Sequence, residues 1–112
     1  MKRLAGLNEK PQHYYDDAPE NIAQVMPNFR KMYIGAVGGG SAKGLEEALD
    51  LQQIVLKLRV TNESDYVDLE DAQIKLLTKK VEENTQNYSS FFLAQMFQKI
   101  KNAEEPPKKE AT

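Results

Sequence analysis

Residues 42–101 read as three amphipathic helices and almost nothing else. This constrains the chain more than any other feature, because apolar residues that recur at helical spacing must find one another to be buried. Ser41 is placed to cap the first of the three. Leu45, Ala48, Leu49, Gln52, Val55 and Leu56 make one face of it, widened by Leu51, Ile54 and Leu58, and the polar run 62–65 ends it. An apolar arc this wide predicts a central helix packed on more than one side. After a short extended link at 66–69, Asp68 is placed to cap a second helix, with Glu70 and Asp71 in its first turn. Ile74, Leu77 and Val81 line that helix, with Leu76 beside them. Residues 84–88 read as a loop. Ser89 or Ser90 caps the last helix, whose inward stripe is Leu93, Met96, Phe97 and Ile100, supported by Phe91 or Phe92. Coincident stripes nominate Leu49, Leu56, Ile74, Leu77, Leu93, Phe97 and Ile100 as core.

The N-terminal third is less regular. Leu4 and Leu7 suit a short strand or a packed arm, and 8–11 a turn. Residues 12–17 carry aromatic and polar side chains without a period. Asp17, Pro19 and Glu20 look like a helix start. Ile22 and Val25 or Met26 would then face inward, and Pro27 would end the helix. Phe29, Met32, Tyr33, Ala36 and Val37 fall at helical spacing. Met32 to Ile34 with Val37 also fits a strand, but Asn28 as a cap and Gly38 as a stop favour helix. Gly38, Gly39 and Gly40 form a joint or a turn that needs positive φ.

The expected architecture is mainly α: a small single-domain helical bundle of about four helices. It spans 1–103, with 1–20 an irregular arm that could hold a short β element, 38–41 a Gly-rich joint, and 104–112 a disordered tail. At 112 residues the chain is sized for one domain and one modest core.

With no cysteine, disulfides and thiolate metal sites are excluded. Fifteen basic and 17 acidic residues leave a net charge of -2, without the basic excess or stripe that phosphate binding favours. No stretch approaches the ~20 apolar residues of a membrane span, and the opening residues are too short an apolar run for a signal-peptide core. A cytoplasmic protein with no membrane partner is therefore expected.

Searches for chemistry return little. Gly35 and Gly40 have the separation of a phosphate loop, but Ser41 occupies its Lys position and Lys43 comes too late. Glycine amides before a helix start could still hold an anion. Glu63, Asp65, Asp68, Glu70 and Asp71 match no calcium loop. His13 is the single histidine and has no elbow motif to serve. Glu46, Glu47 and Asp50 share part of one helix without a sign of raised pKa. The chain is read as not an enzyme, with no catalytic, metal or cofactor residues and no cofactor.

Tyr14, Tyr15, Phe29, Met32 and Tyr33 are the candidate protein-binding residues, since aromatic and flexible apolar side chains suit adaptable contacts. The competing reading is that they cover the open side of the helical core. Arg30, Lys31, Lys43, Lys79 and Lys80 are the candidates for the alternative, a nucleic-acid-associated accessory or regulatory factor.

A resemblance adds context. Residues 49–103 carry Val67-Asp68-Leu69-Glu70-Asp71-Ala72, then Leu76-Leu77, then Phe91-Phe92-Leu93-Ala94-Gln95, and the chain opens on Met1-Lys2-Arg3-Leu4 with Leu7-Asn8 and Pro11. This resembles small, poorly characterised proteins of tailed bacteriophages and prophages over about half the chain, with no catalytic motif. The resemblance implies a phage-encoded viral protein in the host cytoplasm or associated with the virion. It implies a context rather than an activity; the activity expected beside it is protein binding, in virion assembly or in modulating a host protein. The partner is a host or phage protein, with self-association left open.

Overall fold

A computed structural model describes residues 1–15, 17, 19–61, 63–83 and 88–105. The element order is β1 (Lys2–Ala5), α1 (Glu20–Val25), α2 (Phe29–Gly38), α3 (Leu45–Val60), β2 (Tyr66–Leu69), α4 (Asp71–Glu83) and α5 (Ser90–Lys101). The protein is mainly helical, with five helices and one short two-stranded sheet among the described residues. None of these helices is long and apolar enough to cross a membrane.

The arm is part of the core. Lys2 to Ala5 pairs antiparallel with Leu69 to Tyr66, so Leu4 lies opposite Val67 and Arg3 opposite Asp68. Strand alternation turns Leu4, Val67 and Leu69 inward, and each is almost fully buried. Gly6 then takes φ +72, the sole left-handed φ among the described residues, and turns the chain so that Leu7 is buried as well. Main-chain hydrogen bonds tie this turn to its neighbours: Leu7 N–H donates to Asp65, Arg30 N–H to Leu7, and Phe29 N–H to Glu9. On the other side of β1, Arg3 bridges to Glu104, so the first residue of the expected tail is paired. Residues 106–112 of that tail lie outside the described residues, as do 84–87 of the expected loop.

Asn28 caps α2 as its position predicts, its Oδ1 accepting from Lys31 N–H at 2.9 Å. Phe29, Met32, Tyr33, Ala36 and Val37 all face the core, so the segment is helix and not strand. Gly38 belongs to this helix, and Gly39 closes it with φ -91, its N–H donating to the Gly35 carbonyl. A Cβ on Gly39 would stand 2.8 Å from that oxygen. The glycine is there for a close approach; positive φ, one of the two expected reasons, is not needed.

The central helix α3 corrects the expectation most. It starts at Leu45 with Gly44, not Ser41, at the cap position. Leu51, Ile54 and Leu58 are its buried residues, while Leu49 and Leu56, both expected in the core, are 50% and 45% exposed. Leucines on both faces make the wide arc, and packing chose the narrower stripe. Asp68 does not cap α4, because it sits in β2 and binds Arg3. The Gln73 side chain instead accepts from Glu70 N–H at 2.9 Å. Leu77 and Val81 are buried as expected, with Ile74 half-buried. In α5, Leu93, Met96 and Ile100 are buried and Phe97 is half-buried at the edge. The short α1 does not turn Ile22 and Val25 inward: they are 39% and 80% exposed.

Candidate interaction site

The five candidate protein-binding residues separate. Phe29, Met32 and Tyr33 are core side chains, and the Tyr33 hydroxyl donates to the Met96 carbonyl. They cover the helical core, as the competing reading holds. Tyr14 and Tyr15 are 52% and 63% exposed. They are joined by His13, Phe91 and Phe92, which sequence reasoning did not place with them. Ring centroids lie 4.1 Å apart for His13 and Tyr14, 4.9 Å for Tyr14 and Tyr15, and 6.0 Å for Tyr14 and Phe92. Phe91 extends the patch, its ring edge-on to Phe92 at 6.3 Å.

The patch is built from two parts of the chain. Residues 12–15 form no helix or strand and bend at Tyr14 and Tyr15, so their rings have no regular face to bury. A paired amide fixes them to α5: Gln12 N–H donates to Gln95 Oε1 at 2.8 Å, and Gln95 Nε2 donates to the Gln12 carbonyl at 2.9 Å. Tyr15 N–H donates to His13 Nδ1 at 3.1 Å and tightens the turn. The adjacent phenylalanines opening α5 are the one sequence signal. Two successive helical positions cannot both face inward, and Phe91 is the one left out. Nothing local in the sequence joins Gln12 to Gln95.

The basic candidates are also divided. Arg30 is buried against the end of α3, donating to Asn8 Oδ1, the Leu58 carbonyl, Thr61 Oγ1 and the Ser64 carbonyl. Lys80 is 1% exposed. Its ammonium donates to the Ser41 carbonyl and pairs with Glu83 at 3.0 Å and Glu47 at 2.7 Å. The bond from Lys80 holds the Glu47 carboxyl below the usual carboxylate range, opposite to what a general acid needs. Lys43 and Lys79 adjoin, and contact with Lys43 lowers the Lys79 pKa. Lys31 lies on α2 in a groove that Arg30 and Arg59 also line. Two of the five cations are therefore spent inside the fold.

The glycine segment makes no phosphate cradle, since Gly35 and Gly38 lie within α2. Three of the five clustered carboxylates are paired within the fold, Asp71 with the N-terminal ammonium at 3.6 Å. Asp65 accepts from Asn8 N–H at 2.8 Å, and Asp68 takes the Arg3 fork at 2.8 and 3.1 Å. Among the described residues no three His, Asp or Glu side chains are grouped to hold a metal.

The class defined so far is that of a mainly α protein with an exposed aromatic patch. No protein-family model, curated protein or solved structure matches the chain.

Proposed function

We propose that this chain is a non-enzymatic accessory protein of the tailed-phage type. It binds a protein partner of host or phage origin, in virion assembly or in modulating a host protein. The observation that carries the reading is the aromatic patch. Tyr14, Tyr15 and Phe91 stay in solvent on a segment clamped by the Gln12–Gln95 amide pair. Rigid aromatics with a polar tip offer large contact area at small entropic cost, which is why they concentrate at interfaces. Exposed apolar area of this kind adds nothing to the stability of the free chain.

The test is a double substitution, Tyr14→Ala with Tyr15→Ala. Affinity purification from infected or expressing cells compares it with the unaltered chain, beside a melting curve. Loss of a reproducibly captured protein with an unchanged melt supports the reading. Retained capture overturns the assignment to this patch.

A further inference from the structure

A second exposed surface lies on α3 and is independent of the aromatic patch. Leu45, Leu49, Leu56 and Val60 are 77%, 50%, 45% and 75% exposed. They follow one stripe of the helix, opposite to the buried Leu51, Ile54 and Leu58. The stripe is symmetric about the point between Gln52 and Gln53. Leu45 mirrors Val60, Leu49 mirrors Leu56, and each glutamine mirrors the other. A two-fold interface pairs each residue with its mirror position on an identical chain, so an apolar stripe symmetric about its centre sets apolar against apolar at each level.

Charge selects the direction. One rim of the stripe carries Glu46 and Asp50 in the first half and, in the second, the half-buried Lys57, whose ammonium donates to Gln73 Oε1 at 2.9 Å and has further donors to offer. Reversing a second copy about the centre sets its Lys57 at the height midway between Glu46 and Asp50, at ~1.5 Å of rise per residue. Parallel pairing would instead set this rim against the other rim of the second copy, where the carboxylates meet Ala48 and Gln52 and Lys57 meets Arg59. Antiparallel pairing also sets the two helix dipoles head to tail. Beside the second half of α3 lies a groove of about 500 Å³, lined by Ile34, Leu56 and Val60 with Arg30, Lys31 and Arg59. It gives the first-half leucines of a second copy apolar surface beyond the ridge itself.

We propose that α3 is the interface of a homodimer in which two copies pair antiparallel about a two-fold axis at Gln52 and Gln53. A helix of this length spans ~24 Å, so the interface belongs to the small, exchanging class.

Sedimentation velocity of the full chain, from micromolar to millimolar concentration, should show the 12.7 kDa species giving way to a dimer. Leu49→Glu with Leu56→Glu should weaken the dimer at least ~tenfold at an unchanged melting temperature, since both side chains are half in solvent. Should that pair disturb folding, Val60→Glu serves alone. Lys57→Glu should also weaken it, whereas in a parallel pair it would face Arg59 and strengthen it; a melting curve beside it reads the loss of the Lys57–Gln73 bond within the chain. The chain has no cysteine, so single ones report geometry cleanly. Gln53→Cys should form a disulfide-linked dimer under mild oxidation, and Leu45→Cys should not. A monomer throughout the concentration range, a dimer indifferent to these charges, or cross-linking through Leu45→Cys alone would each overturn the proposal.

Discussion

The Tyr33 hydroxyl donates to the Met96 main-chain carbonyl over 2.7 Å, joining α2 to α5 across 63 residues of chain. Burial raises the Tyr33 pKa above the ordinary tyrosine range, because the phenolate would lose its hydration. In the unfolded chain the same phenol titrates near ~10. Above that pH the unfolded state releases its proton first and is favoured. The contribution of Tyr33 is therefore full below ~10 and is lost as pH rises beyond it. Tyr33→Phe should cost ~0.5–1.5 kcal/mol at neutral pH and flatten the alkaline decline. Urea melts at a series of pH values check this; an equally steep decline in the variant would contradict it. Tyr88, whose pKa burial raises, and Lys80, whose pKa its bond with Glu47 raises, contribute to the slope that remains.

Arg30 holds the end of α3 to the turn after it and to Asn8. The guanidinium presents several donors in a fixed plane, which one ammonium cannot reproduce. Arg30→Lys should therefore leave buried carbonyls unpaired and destabilise by ~1–3 kcal/mol. Equilibrium denaturation measures it, and a loss below a few tenths would show the network to be incidental.

The two faces of α3 should respond differently to truncation. Ile54 is 0% exposed and Leu49 50%. Ile54→Ala should cost ~2–5 kcal/mol. Leu49→Ala should stay within ~0.5 kcal/mol when measured at low protein concentration, where self-association does not enter. Equal losses at the two positions would mean that the inward face has been misassigned.

Gly6 takes a conformation that side chains resist, and Lys99 Nζ occupies the place of a Cβ there. Gly6→Ala should destabilise by ~1 kcal/mol or more through backbone strain, even if the lysine moves aside. Breaking the Lys99–Glu9 pair separately, with Glu9→Gln, isolates the strain from the displaced ion pair. Matching melting curves for Gly6→Ala and the unaltered chain would remove the argument.

Much of the helical part was legible in the sequence, for a local reason. Asn28 precedes a stripe of five core residues, and the periods of α4 and α5 each offer one clear apolar face. Helix α3 offered two, and spacing alone cannot rank leucines at 49 and 56 against those at 51 and 58. For the strand pair the sequence offers an extended link at 66–69 and, at Leu4 and Leu7, a short strand or a packed arm; it does not offer their pairing, because four-residue strands far apart in the chain carry no register signal in either one. Half of the candidate site had the same difficulty. Tyr14 and Tyr15 were named, but their neighbours Phe91 and Phe92 come from the far end of the chain.

By itself the sequence determined that the chain would be mainly helical, without cysteine chemistry, and roughly where its breaks fall. These depend on propensity, capping and period, which act within a turn or two. Only the tertiary structure decided that the N-terminal residues form a core strand, that Arg30 and Lys80 are buried partners of carbonyls and carboxylates, and that α3 keeps four apolar residues in solvent. Those outcomes depend on which faces compete for one small core. That competition is settled by the shape and volume of elements brought together from distant parts of the chain, a quantity no local pattern contains.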